Sequence, residues 1–203
     1  MPSINRTQAR AFITGRIATP IALGFGRIGM TPNSLTLFGL VIAAVGAYLA
    51  SIGQFWGAGT VLIFAAVFDL FDGALARATG KISAFGAMLD SVVDRVSEAI
   101  LLLGLLAFYL DGDDSIGVIL VYIAFVFSVL VSYTRARAEG LDVDCTVGIM
   151  TRPERVIVLA VGLIVGHWVP FVLQIALGIV AALSALTSVH RVLHTKAALR
   201  DRA

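Results

Sequence analysis

An all-α, polytopic membrane protein of six transmembrane helices behind an interfacial amphipathic helix is predicted by three observations. Of 203 residues, 59% are hydrophobic and 14% charged, where soluble domains carry about 25% charged residues. The apolar residues gather into six runs of roughly the 17–25 residues that cross a bilayer as a helix. Lys and Arg are concentrated on alternate connections between those runs.

Met1 to Met30 reads as a juxtamembrane segment. Arg6, Arg10, Arg16 and Arg27 alternate with Ile4, Phe12, Ile13, Ile17 and Ile21, the pattern of a helix lying in the membrane interface. No compact apolar region with a cleavage site is present, so no signal peptide is read there. Thr31-Pro32-Asn33 is a helix start. The first span follows from Ser34 to Ser51, with a small-residue face of Gly39, Ala43 and Ala47. The second span is predicted over Gly57–Ala78, the third over Ala84–Leu110 and the fourth over Ile116–Arg137. A polar stretch from Ala138 to Glu154 comes next. The fifth span opens at Pro153 and reaches Gly166; the sixth covers Phe171–Leu193. His194–Ala203 is a short basic tail. With no repeat and no long linker, residues 1–203 read as a single domain, with the spans over 31–193. Cys145 is the only cysteine, so no internal disulfide or thiolate metal site is available, and it is read as an inert loop residue.

Six spans put both termini on one side. That side also holds Arg77 and Lys81 in one turn, and Arg135, Arg137, Arg152 and Arg155 around another. The opposite turns contain no Lys or Arg and carry Asp111, Asp113 and Asp114. The positive-inside rule then makes the terminal side cytoplasmic. A prokaryotic plasma membrane is the expected location.

Four aspartates break the apolar pattern of the second and third spans. Asp69 and Asp72 are three apart, Asp90 and Asp94 four apart, so each pair shares a helix face. Asp72 and Asp90 each lie nine residues from Lys81 in the intervening turn. An antiparallel hairpin therefore brings the four carboxylates to one layer, roughly 13–20 Å from the turn at 1.5 Å per residue. Gly73 and Gly86 flank the layer and allow close approach. Helix caps sit at helix ends, and these residues lie two or more turns inside. Charges at membrane depth mark function by default, and clustered carboxylates suit a divalent cation with oxygen ligands. A metal site for phosphate chemistry and a cation or proton path remain as readings. Arg77, one turn from Gly73, favours the first, because Arg and a metal together clamp phosphate oxygens. As a single residue it could equally be an interfacial anchor.

The whole stretch reads D-x-x-D-G-x-x-A-R, eight residues, then G-x-x-x-D-x-x-x-D. It resembles the signature of the CDP-alcohol phosphotransferases at every fixed position: Asp69, Asp72, Gly73, Ala76, Arg77, Gly86, Asp90 and Asp94. The six-span layout and the N-terminal amphipathic segment are also similar to that family. The resemblance implies transfer of a phosphatidyl group from a CDP-linked lipid to an alcohol, with release of CMP. It implies one or two Mg²⁺ or Mn²⁺ ions on Asp69, Asp72, Asp90 and Asp94, with Asp94 also the general base. It implies donor contacts from Asp69, Gly73 and Arg77, with Ser83 and the Thr31-Pro32-Asn33-Ser34 stretch on the cytidine side. A homodimer among membrane lipids is expected from the same resemblance, and no nucleic-acid partner.

The acceptor is read from arginines. Arg135, Arg137, Arg152 and Arg155 are expected around one mouth, with Arg191 joining them. Positive-inside topology accounts for Arg at any cytoplasmic helix end, but a cluster around one cavity suits an anionic acceptor. The A-R-A-E-G and R-P-E-R segments resemble the phosphatidylinositol phosphate synthases and their archaeal archaetidyl counterparts. That likeness implies inositol 1-phosphate as acceptor, with Ser132, Arg135, Arg152, Arg155 and Arg191 around it. Arg135 is a departure, since the actinobacterial pattern has Lys there. Glycerol 3-phosphate is the alternative acceptor. A cation transporter is the alternative of another class, disfavoured by Arg77 and by the absence of a charged relay toward the other face. An intramembrane prenyltransferase would need more spans and two separated Asp-rich motifs.

Overall fold

The computed structural model describes residues 18–200 and 202. Among these the regular structure is helical throughout. In chain order the helices are α1 (Thr19–Arg27), α2 (Pro32–Ser51), α3 (Phe55–Thr79), α4 (Ala84–Asp111), α5 (Ser115–Glu139), α6 (Arg152–Gly166) and α7 (Phe171–Arg200).

Four of them, α2, α3, α5 and α7, are long and apolar enough to cross a membrane. The other two expected spans differ for separate reasons. Helix α4 has 28 residues, but Asp90, Asp94, Arg95 and Glu98 interrupt its apolar character. Helix α6 has 15 residues, below the roughly 17–25 that span a bilayer. The expectation of an interfacial helix falls partly on residues 1–17, outside the described residues. Of the remainder, α1 exposes Ile21 and Leu23 and buries Ala22. The expected tail after Leu193 is helical to Arg200. Ala197, Ala198 and Leu199 are strong helix formers, and Thr195 Oγ1 donates to the Arg191 carbonyl at 2.8 Å.

Local chemistry places the ends of the helices that carry the acidic residues. Ser34 N–H donates to Thr31 Oγ1 at 3.1 Å, and Thr31 N–H donates to Ser34 Oγ at 2.8 Å. This reciprocal cap starts α2. Gly80 adopts φ +66° after α3, and Lys81 N–H reaches back to the Ala76 carbonyl at 2.9 Å. A glycine takes that left-handed conformation without steric cost. Ser83 then caps α4, its Oγ accepting from Gly86 N–H at 3.0 Å. The α3–α4 turn is short, as the hairpin arithmetic requires.

The chain forms two compact units, Met1–Ala44 with Phe64–Glu98, and Val45–Ile63 with Ala99–Ala203. In the first, Phe68 is the hub of the core. Its ring meets Phe25 at 5.7 Å, Phe38 at 5.5 Å, Phe64 at 6.2 Å and Phe71 at 5.7 Å between centroids. Ala18, Ala22, Leu35, Ala74 and Leu75 complete that core. It occupies the face of α3 next to the one that bears Asp69 and Asp72.

In the second unit, α5, α6 and α7 pack together over an apolar core that includes Val121, Leu159, Leu163, Leu173 and Leu177. Helices α5 and α7 run parallel in one register. Gln174 donates to Asp114 (2.6 Å), Arg191 to the Val131 carbonyl (2.5 Å) and Arg202 to the Asp142 carbonyl (2.7 Å), each pair sixty residues apart. The small-residue face of α2 is used within the chain. A Cβ on Gly104 would fall 2.2 Å from the Ala47 carbonyl oxygen, and one on Gly39 would lie 3.3 Å from Asp69 Oδ1. Cys145 is fully buried with Ala138 and Val143.

Phe68→Ala is expected to destabilise the fold by about 3–5 kcal/mol, the range for emptying a buried aromatic site. Thermal unfolding in detergent would show a lowered midpoint; a wild-type midpoint would remove Phe68 from the role of hub.

Candidate active site

Helix α3 carries Asp69, Asp72, Gly73 and Arg77, and helix α4 carries Asp90 and Asp94. Asp72 is 7% exposed. One of its carboxylate oxygens accepts from Thr36 Oγ1 at 2.7 Å, and the other from the N–H of Gly73. The Thr36 hydroxyl also lies 3.1 Å from the Pro32 carbonyl. It has a single proton to donate, and the shorter contact is to the charged acceptor. Asp69 and Asp90 are both near enough to Asp72 for their charges to act on it. Asp94 follows Asp90 by one turn on the same face and is half-buried, like Asp69 and Asp90.

Helix α2 supplies a face that matches these carboxylates. Thr36 meets Asp72, and one turn further on Gly39 meets Asp69. Any larger residue at position 39 would press on the Asp69 carboxylate. Gly73 does the same for Arg77: a Cβ there would lie 3.2 Å from Arg77 Nη1. The guanidinium is therefore drawn over the glycine beside the acidic layer. At the turn end of the hairpin, Asn33 Oδ1 and Ser83 Oγ both face Gly86, 3.3 Å and 3.0 Å from where its Cβ would be. Pro32 lines a cleft of about 220 Å³ together with Arg27 and Lys81. Thr31 and Ser34 spend their hydroxyls on the α2 cap.

Among the described residues, no three His, Cys, Asp or Glu side chains stand in an arrangement that could enclose an ion. The donor set nevertheless has the right chemistry. Carboxylate oxygens suit hard divalent cations such as Mg²⁺ and Mn²⁺. The glycine at position 39 keeps the space beside Asp69 clear.

The expected acceptor residues lie in the other unit. Arg155 and Arg191 are 1% and 2% exposed. Arg135 and Arg155 are both close enough for their charges to act on Arg191. Arg191 donates from Nε to the Val147 carbonyl at 2.9 Å and from Nη1 to the Val131 carbonyl at 2.5 Å. Arg155 Nη1 lies 3.4 Å from the Met150 carbonyl. Arg135 is exposed and pairs with Glu139 at 2.8 Å. Ser132 and Arg152 are half-buried. Arg137, expected at the same mouth, is exposed. Three guanidinium groups, two of them buried, are thus gathered on one side of the unit, with Glu139 the carboxylate that pairs with Arg135 and acts on Arg191.

Sequence reasoning missed Thr36, whose signal was a hydroxyl one turn after Pro32 in an otherwise apolar run. It assigned Gly39 to helix packing rather than to clearance around Asp69. It also passed over Thr187. With Ser184, Ser188 and Arg191 this residue forms a polar stripe at i, i+3, i+4 and i+7 within an apolar helix.

A family model described as CDP-alcohol phosphatidyltransferase matches residues 29–192. The phosphatidylinositol phosphate synthase of Mycobacterium bovis is 38% identical over 189 residues, covering 89% of this chain and 85% of its own. The archaetidylinositol phosphate synthase of Methanothermobacter thermautotrophicus is 32% identical over 197 residues, covering 96% and 97%. Among solved structures, the Mycobacterium tuberculosis phosphatidylinositol phosphate synthase with CDP-DAG bound superposes with a TM-score of 0.83. It is 34% identical and covers 89% of this chain and 94% of that one. The same enzyme in complex with manganese and citrate also gives a TM-score of 0.83, at 34% identity and 88% coverage of both chains.

Thr36→Val removes the hydroxyl donated to the buried Asp72 carboxylate. It is expected to lower stability by about 1.5–3 kcal/mol, the range for hydrogen bonds to charged groups, with Thr36→Ser restoring most of the loss. Equal midpoints for Val and Ser variants in thermal unfolding would contradict that role.

Proposed function

Because the chain belongs to the CDP-alcohol phosphatidyltransferase family, we propose that it makes a phosphatidylinositol phosphate-type lipid from a CDP-linked lipid and inositol 1-phosphate. The observation that carries this reading is the gathering of Asp69, Asp72 and Asp90 opposite the Thr36–Gly39 face of α2, with Arg77 drawn over the neighbouring Gly73. The mycobacterial and archaeal relatives support the choice of acceptor.

In the reaction the acceptor hydroxyl oxygen forms a bond to the lipid-side phosphorus of the diphosphate. The bond from that phosphorus to the CMP oxygen breaks, and CMP leaves. Asp94 takes the proton from the attacking hydroxyl as general base. Asp69, Asp72, Asp90 and Asp94 would hold one or two Mg²⁺ or Mn²⁺ ions, which when bound neutralise the diphosphate and the departing CMP. Thr36 fixes the Asp72 carboxylate, so its remaining lone pairs are aimed by a hydrogen bond. Arg77 lies along Gly73 and supplies a fixed positive charge for the phosphate oxygens. Asn33, Ser83 and the Thr31–Ser34 turn line the nucleotide side, gathered around Gly86. Arg135, Arg152, Arg155 and Arg191, with Ser132, hold the phosphate of the acceptor. A planar guanidinium meets two phosphate oxygens at once, which selects a phosphorylated alcohol over free inositol or serine.

The reading extends to topology. Helices α4 and α6 complete six membrane-embedded helices, α4 with its charges turned to the site and α6 as a short span. The site opens to the cytoplasm of a prokaryotic cell. The protein works as a homodimer.

Purified protein with CDP-diacylglycerol and Mg²⁺ is expected to release CMP with inositol 1-phosphate, and at least tenfold more slowly with serine or inositol, roughly the discrimination that lost charged contacts produce, with glycerol 3-phosphate assayed beside them as the competing anionic acceptor. A preference for serine or inositol would sink the acceptor assignment, and a preference for glycerol 3-phosphate would move it to the other anionic alcohol. Excess EDTA is expected to stop release and Mn²⁺ or Mg²⁺ to restore it. Asp94→Asn should lower kcat by about 10²–10⁴, the usual worth of a general base, with an unchanged unfolding midpoint; near-wild-type turnover would remove Asp94 from that role.

A further inference from the structure

The connection between α5 and α6 has little to hold it from within. Among the described residues, its backbone from Asp144 to Met150 makes no hydrogen bond to other backbone. Beside the Arg155 contact to the Met150 carbonyl and the packing of Cys145, the side-chain hydrogen bonds to this stretch come from one face of α7. Thr187 Oγ1 accepts from Met150 N–H at 3.1 Å, Arg191 Nε donates to the Val147 carbonyl at 2.9 Å, and His194 Nε2 meets the Asp144 carbonyl at 3.2 Å. Residues 187, 191 and 194 follow i, i+4, i+7 and so form one helix stripe.

Thr187 is the centre of this attachment. It is 1% exposed. Opposite it stands Gly148, with φ +117°. A Cβ on Gly148 would fall 2.3 Å from Thr187 Cγ2, so both the backbone conformation and the contact require glycine. The hydroxyl holds one amide of the loop while the methyl group fills the space left by the glycine. The next residues after this lock are Thr151, which caps α6, and Arg152 and Arg155 in its first turn.

We propose that Thr187 and Gly148 form a register lock that positions Arg152 and Arg155, and thereby sets the affinity for the phosphate of the acceptor. The proposal rests on the acceptor reading given above. Thr187 carries no charge, is buried, and accepts from Met150 N–H, so it acts through the loop rather than on the acceptor. Arg191 serves the same attachment, as its Nε and Nη1 bind backbone carbonyls of the loop and of α5.

The full-length protein is tested as Thr187→Val, nearly isosteric but without the hydroxyl, and as Gly148→Ala, which disturbs the lock from the loop side. Both are expected to raise the KM for inositol 1-phosphate roughly tenfold, with kcat and the KM for CDP-diacylglycerol within about twofold, the signature of lost ground-state binding to one substrate. Thr187→Ser should restore the acceptor KM. A rise in both KM values alike, a fall in kcat alone, or unchanged kinetics would overturn the proposal. So would failure of both variants to fold, which would make the pair a folding determinant only. In a parallel arm, inorganic phosphate is titrated against the unfolding midpoint. Wild-type protein should be stabilised by phosphate and Thr187→Val should need about tenfold more for the same shift, as the linkage of ligand binding to stability requires. If the wild type uses no inositol 1-phosphate, the acceptor reading fails by itself. Equal phosphate titrations for wild type and Thr187→Val would then still refute the lock.

Discussion

A carboxylate buried two turns from the end of an apolar helix is the constraint on which the first unit depends. Taking a charge out of water costs several kcal/mol even after relaxation. Asp72 meets that cost with two donors, the Thr36 hydroxyl and its neighbour's N–H. The first of these exists only because α2 begins where it does. The Thr31–Ser34 cap sets the first turn, Thr36 then points at Asp72, and Gly39 clears Asp69. Phe68 and its ring partners hold the adjacent face of α3, so the acidic face cannot rotate away from its partners.

The second unit solves the opposite problem with opposite charges. Arg155 and Arg191 are nearly fully buried. A guanidinium has five donors and no acceptor, so carbonyl oxygens are its natural partners in an apolar interior. Arg191 takes two of them, one on α5 and one on the loop before α6. It is therefore structural in part, whatever its remaining donors hold. The parallel register of α5 and α7, tied at both ends and at Arg191, makes that side of the unit stiff enough to aim side chains.

The same charges explain why membrane helices are uneven in this chain. Helix α4 carries acidic residues that a lipid-facing span would not tolerate. Helix α6 is cut short by the Thr151–Glu154 cap at one end and the His167–Pro170 turn at the other. At 1.5 Å per residue its 15 residues reach about 22 Å, less than the roughly 30 Å hydrocarbon core. Apolar length alone therefore identifies α2, α3, α5 and α7 and passes over α4 and α6.

Everything governed by local periodicity was legible in the sequence. The helical class and the short turn that brings Asp90 near Asp72 follow from spacing along the chain. So does the family, because its signature is written in one stretch of 26 residues. What the tertiary structure decided are contacts between residues far apart in sequence. Thr36 reaches Asp72 across 36 positions and Thr187 reaches Met150 across 37. Spacing cannot predict such contacts, because they depend on how one helix is rotated against another. An arginine in a sequence declares a charge but not its partner. Only the packing of α5, α6 and α7 shows that Arg191 is bound to carbonyls, while Arg135 remains at the surface beside Glu139.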